Sequence, residues 1–244
     1  MLARAPSRAP VRNRIISVLS KSRYKNLLSS LQPISLSLCD VLYEAGDSVK
    51  YVYFPNDAVI SMVAVRESGT RSFEVCIVGA EGMVGTPALQ RKNRALFTTV
   101  VRLPGSAMRV KASVFRDALK RDGQLQSSLF AYMQRLVTQV AQSAVCNNFH
   151  ALDERLARWL LVMNDHTRSD GFPATHEFMA QMLGERRVSV TQAANRLRES
   201  EVISYGRGRM QVIDRRGLEA ASCNCYWIVK GESGRLSGSR RSRG

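Results

Sequence analysis

The sequence predicts an α+β chain: an N-terminal β-roll or jelly roll, a long helix, and a C-terminal winged helix-turn-helix. Three observations predict it. Residues 33–111 hold short β-branched and aromatic segments punctuated by Gly and Pro. Residues 112–148 are helical in texture and almost free of charge beyond residue 125. Residues 175–203 read as two short helices broken at one glycine, the second opening with Arg186 and Arg187.

In the β region, Asp40-Val41-Leu42-Tyr43-Glu44 leads into a turn at Ala45-Gly46-Asp47, and Tyr51-Val52-Tyr53-Phe54 ends at Pro55. Residues 58–65, 73–78, 97–101 and 107–110 supply further strands, separated by Gly79, Gly82, Gly85 and Pro104-Gly105. Short strands at this spacing argue a sandwich or barrel, and a jelly roll fits best. In the helical region, Leu129, Met133, Leu136 and Val140 are spaced 4, 3 and 4, a heptad-like stripe suited to a dimer seam. Residues 152–164, with Trp159, begin the last domain, with a hinge near residues 148–151.

Within the helix-turn-helix, Met179 and Leu183 lie four apart on one face and Ala180 is small where two helices must cross. Gly184 suits a left-handed helix end, and Thr175 can cap the first helix. Val190, Ala193, Ala194 and Leu197 continue as the buried stripe of the second helix. That leaves Arg187, Val188, Ser189, Thr191, Gln192 and Arg196 outward. Arg and Gln there can pair with guanine and adenine edges, whereas Ser, Thr and the remaining Arg suit phosphates. Residues 204–212 read as a wing hairpin carrying Arg207 and Arg209. His176 reads as a solvated first-turn residue.

Charge points the same way. The chain has 36 Lys+Arg against 20 Asp+Glu, a net +16. Residues 1–25 hold seven basic and no acidic residues, and residues 226–244 five basic and one acidic. Most of the remaining excess lies in residues 184–216, with eight basic and four acidic side chains, an electrostatic footprint for a polyanion. The domains expected are therefore a β-roll over 14–111, a helical region over 112–148, the winged domain over 149–226, and a disordered basic tail over 227–244.

Several classes are disfavoured. There is no run of about 18 apolar residues and no apolar core behind the basic N-terminus, so neither a membrane span nor a secretory signal is expected. Five scattered cysteines fit reduced thiols in the cytoplasm. Cys223-Asn224-Cys225 is the one close pair, and without a neighbouring His it reads as two inert thiols; no metal site is expected. A cupin-type metalloenzyme on the β-roll would need clustered His, and none stands between residues 1 and 149. A non-specific architectural DNA binder, resting on the basic tails, is the other alternative.

With these motifs together, residues 14–226 resemble the Crp/Fnr family of bacterial transcription regulators. The resemblance is carried by Leu42-Tyr43-Glu44-Ala45-Gly46-Asp47, Tyr51-Val52-Tyr53-Phe54-Pro55, Glu81-Gly82-Met83-Val84-Gly85, Arg155-Leu156-Ala157-Arg158-Trp159-Leu160-Leu161 and the helix-turn-helix. It implies a cyclic-nucleotide-binding-like β-roll, a dimer through the long helix, and a second winged-domain helix that reads a palindromic operator in double-stranded DNA. It implies no enzyme activity, and RNA polymerase as a further partner. Registered on Gly184 and Ile203, it puts base reading on Arg187, Val188 and Gln192 and a phosphate contact on Ser189. Arg186, Thr191, Arg196, Arg207 and Arg209 complete the predicted phosphate set. Where cyclic-AMP binders of the family carry Gly-Glu and Arg-Ser pairs, this chain has Gly85-Thr86 and Arg94-Ala95. The pocket is degenerate: Thr brings no carboxylate and Ala no hydroxyl. No cofactor is expected, neither cyclic AMP nor an iron–sulfur cluster, since the cysteines are dispersed. His150, His166 and His176 all lie outside the β-roll, where a haem sensor would need one.

Overall fold

Alternating apolar residues and turn-forming Gly and Pro build the N-terminal half as two antiparallel layers. The computed structural model describes residues 12–17, 25–65, 72–90, 93–167 and 171–235. Two short helices, α1 (Arg14–Ser17) and α2 (Lys25–Ser30), precede seven strands. These are β1 (Gln32–Leu36), β2 (Val41–Tyr43), β3 (Tyr51–Pro55), β4 (Val59–Val65), β5 (Ser72–Val78), β6 (Thr98–Leu103) and β7 (Gly105–Lys111). One sheet has the order β1-β7-β3 and the other β2-β6-β4-β5. In the first, Gln32 pairs with Arg109 and Tyr53 with Arg109 across the other edge of β7. Val52, Phe54, Ile60, Val84, Val101 and Val110 are buried and form the core of this roll. The strand positions follow the sequence reading to within a few residues, with β1 as an addition.

The helical region is broken at Asp122 into α3 (Ala112–Arg121) and α4 (Gly123–Phe149). The Asp122 carboxylate accepts from the backbone N–H of Gln124 and Leu125, capping the start of the long helix. After it come α5 (Leu152–His166), β8 (Gly171–Pro173), α6 (His176–Leu183), α7 (Arg187–Glu199), β9 (Ile203–Gly206), β10 (Arg209–Val212), α8 (Arg215–Ala221) and α9 (Cys225–Arg235). The chain divides into two compact units. One is formed by Met1–Met62 and Ile77–Tyr132, the other by Val63–Cys76 and Met133–Gly244.

Two expectations are corrected here. Residues 227–244 are not a tail throughout, because α9 continues to Arg235; residues 236–244 lie outside the described residues, as do residues 1–11. Tyr226 is fully buried, and its hydroxyl donates to Asp165 and accepts from Lys230. Arg215 adds ion pairs to Asp165 and Glu219, so α8 and α9 are fastened to α5. The second correction concerns the stripe on α4. Leu129 is buried within its own chain at 6 % exposure, and Leu136 is half-buried. Exposed apolar side chains on α4 are Phe130 at 71 %, Val137 at 58 %, Val140, Val145 and Phe149; the first three, with half-buried Met133 and exposed Ala144, keep a 3-4-3-4 spacing. The exposed stripe overlaps the predicted seam at Met133 and Val140 and differs from it in taking Phe130 and Val137 in place of Leu129 and Leu136.

Candidate nucleic-acid interface

The turn between α6 and α7 is set by local chemistry that the sequence specifies. Thr175 caps α6 by accepting from the Phe178 backbone N–H at 3.1 Å. Gly184, at φ 68°, ends the helix in the left-handed region, and the Glu185 N–H returns to the Ala180 carbonyl. Met179, Ala180, Met182 and Leu183 on α6 and Val190, Ala193, Ala194 and Leu197 on α7 are buried as expected. Arg155 on α5 locks the pair from beneath: its guanidinium donates to the Leu183 carbonyl at 2.6 Å and to Glu185 at 2.7 Å. The indole of Trp159 donates to Glu74.

On the outward side of α7, Arg186, Arg187, Val188 and Gln192 are exposed, and Ser189 is half-buried. Arg187, Val188 and Gln192 occupy the first and second turns, where a recognition helix meets base edges. Arg186 is the N-cap residue, offering a cation beside the positive end of the helix. The wing is a two-residue hairpin with Arg207 at φ 51° and Gly208 at φ 74°. Both central residues at positive φ define the turn type that matches strand twist. Arg207 is therefore held at the exposed tip. The sheet has the order β8-β10-β9, the first strand being one that sequence reading missed. Three residues beside Gly171 give almost no periodic signal.

Three predicted phosphate contacts are engaged within the chain. Arg196 makes a bidentate ion pair with Asp153, with both N–O distances 2.6 Å. Thr191 is half-buried with its hydroxyl 3.0 Å from His176 Nδ1. Arg209 remains exposed but donates to the Gly171 carbonyl across the wing sheet at 2.7 Å. Among the predicted phosphate residues, Arg186 and Arg207 are exposed and Ser189 is half-buried. Asp153 and Tyr205 belong to the site's support and had no signal in the sequence, since each partner lies in a different element.

His176 is half-buried, not freely solvated as expected. Its ring packs edge-on against Tyr205, with centroids 4.7 Å apart, and Tyr205 also hydrogen-bonds Asn195 and lies under Arg198. Burial lowers the imidazole pKa below its ordinary 6.5, and the charges of Arg187 and Arg198 lower it further. A folded state that disfavours the proton is fully stable above the unfolded value and loses stability as pH falls from 6.5 toward the folded value. Thermal melts between about pH 7 and pH 5.5 should show the wild type losing more stability than His176→Gln. Equal slopes would show that His176 does not titrate in this window.

Gly85, Thr86, Arg94 and Ala95, the residues expected at a degenerate effector pocket, sit within the local structure of the roll. Gly85, at φ 103°, is so close to β3 that a Cβ would stand 3.0 Å from the Tyr51 carbonyl. Thr86 begins a short 3-10 turn, Thr86–Leu89. Arg94 donates to the Gly46 carbonyl at 2.8 Å, and Ala95 is buried with its backbone paired to Gly46 and Asp47. Burial raises the Tyr43 hydroxyl pKa, so it stays neutral. A second grouping was hidden by sequence distance: Cys146 and His150 come beside Cys223 and Cys225.

Comparison with known proteins agrees with this geometry. Residues 154–221 match a Crp-like helix-turn-helix domain. The transcriptional regulator SdrP of Thermus thermophilus is 25 % identical over 197 residues, covering 73 % of this chain and 92 % of that protein. A Crp/Fnr-family regulator structure from Eubacterium rectale superposes with a TM-score of 0.70 at 15 % identity, over 86 % of this chain and 98 % of that one. FixK2 from Bradyrhizobium japonicum superposes with a TM-score of 0.67 at 16 % identity, over 79 % and 98 %. The two structures share the fold with this chain, and the domain match covers the helix-turn-helix region. The chain carries a Crp-like helix-turn-helix domain and is similar, over most of its length, to transcriptional regulators of the Crp/Fnr type.

Proposed function

We propose that the protein is a homodimer that reads a palindromic operator by inserting α7 of each protomer into successive major grooves. The observation that carries the reading is the common exposure of Arg187, Val188 and Gln192 on the first two turns of α7, behind the Gly184 turn. Arg187 pairs with a guanine edge and Gln192 with an adenine edge, while Val188 offers an apolar contact to a thymine methyl. Arg186, Ser189 and the wing-tip Arg207 hold phosphates, with Arg209 in support. The dimer forms along Phe130, Met133, Val137, Val140 and Ala144 of α4, a seam that requires a second copy because its apolar residues are exposed in one chain. A two-fold dimer matches a two-fold operator, and half-sites about one helical turn apart follow.

In this reading the protein has no enzymatic role and acts in the cytoplasm, with RNA polymerase as the partner of the DNA-bound dimer. Among the described residues, no helix is long and apolar enough to cross a membrane. The reading includes no cyclic-AMP switch, since Thr86 supplies no carboxylate, Ala95 no hydroxyl, and Arg94 is held by Gly46. Nor does it include an iron–sulfur cluster. Gel-shift titrations on the selected operator test the reading edge. Arg187→Ala should cost about 1–3 kcal/mol and relax selectivity at one base pair per half-site. An equal loss on every duplex would make Arg187 a phosphate contact instead.

A further inference from the structure

Four side chains with metal-binding atoms converge where α4 ends and the chain turns from α8 into α9. Cys146 is the last buried residue of α4, with its side chain on the inward face. His150 follows the helix end, and its N–H still donates to the Cys146 carbonyl at 3.2 Å, which keeps both on one face a turn apart. Cys223 and Cys225 flank Asn224 in the short connection, Cys225 being the first residue of α9. The Cys146 and Cys223 sulfurs are 3.5 Å apart, and Cys225 Sγ is 3.6 Å from His150 Nδ1. All four donor atoms lie within 4.8 Å of one another. The three cysteines are buried and free of disulfides.

The 3.5 Å and 3.6 Å separations match the edges of a coordination tetrahedron, and the remainder are close enough to contract onto one ion. Bonds of about 2.3 Å to sulfur and 2.0 Å to nitrogen put tetrahedral S–S edges near ~3.8 Å and S–N edges near ~3.5 Å. We propose that Cys146, His150, Cys223 and Cys225 bind one zinc(II) ion in a closed Cys3His site that ties the C-terminal segment to the end of the long helix. Binding releases three thiol protons to solvent and leaves a neutral imidazole, so the centre carries a net single negative charge. Thiolates select zinc over magnesium or calcium. Four protein ligands leave no open position, which makes the ion structural.

The test is made on the full chain, purified under reducing conditions without chelator. Elemental analysis should find one zinc per chain, and exchange with cobalt(II) should give the intense visible bands of tetrahedral thiolate coordination. Cys223→Ser and His150→Ala should each lose the metal, whereas Cys39→Ser and Cys76→Ser should keep it. Because a serine variant can fail by misfolding, Cys225→His serves as a second probe. It preserves four ligands, so it should retain zinc and shift the cobalt bands toward those of a two-thiolate centre. A folded wild type that takes up neither metal overturns the proposal. So does zinc retained in full by the Cys146→Ser/Cys223→Ser double variant, or a Cys146–Cys223 disulfide that forms equally fast in zinc-saturated and zinc-free protein.

Discussion

Replacing Val137 with aspartate should convert the protein from a dimer to a monomer of 27.2 kDa, as read by light scattering across a concentration series. Val137 lies at the middle of the exposed stripe on α4. In the dimer, the two copies of this residue would lie at the seam, so the substitution buries two unpaired carboxylates against each other. The penalty for an unpaired buried charge is several kcal/mol, so dimer dissociation should strengthen by at least about a thousandfold, or ~4 kcal/mol. Operator affinity should fall with it, while the helix-turn-helix remains folded. Leu129→Ala provides the contrast. Leu129 is buried within its own chain, so its truncation should cost about 2–5 kcal/mol of folding stability without splitting the dimer. If Leu129 variants dissociate and Val137→Asp does not, the seam runs through Leu129 and Leu136 instead of Phe130 and Val137.

Arg155→Ala should be the most damaging single change in the DNA-binding domain that touches no DNA. The guanidinium is buried and ends both the carbonyl row of α6, at Leu183, and the turn, at Glu185. Removing it leaves a buried carbonyl unpaired and a half-buried carboxylate without its cation. Charge-assisted hydrogen bonds are worth about 1.5–3 kcal/mol, and Glu185 can regain some water. A loss of about 2–4 kcal/mol in urea denaturation is the expected outcome. Arg155→Lys should recover only part of it, because an ammonium cannot serve two acceptors in the planar geometry of a guanidinium. A change below about 0.5 kcal/mol would mean that the clamp is hydrated away in solution.

The parts of this chain that could be read from sequence are those fixed by neighbouring residues. Thr175, Gly184 and the apolar spacing from Met179 to Leu197 act within a few residues of each other, and the structure places each as expected. The strand segments were legible for the same reason, through β-branched runs ended by Pro55 and Gly79. What was hidden depends on pairs far apart in the chain. Asp153 occupies Arg196 from 43 residues away, and Cys223 meets Cys146 from 77 residues away. Helix α9 was missed because the Gly, Ser and Arg of the last residues coloured the whole segment, although Tyr226 and Val229 in its first turns are buried. On α4 the predicted stripe is divided: Leu129 is buried within its own chain, Met133 and Leu136 are half-buried and Val140 is exposed, a split that the 4-3-4 spacing alone could not show.

The central claim is that the dimer selects a two-fold operator through the outward edge of α7. Selection of bound duplexes from a randomised pool, using the full chain at near-physiological salt, tests it most directly. The account predicts enrichment of one inverted repeat with half-site centres about 10 base pairs apart, and loss of preference at one position per half-site in Arg187→Ala. Bound duplexes no richer in any repeat than the starting pool, with affinity that simply declines as salt rises, would contradict it.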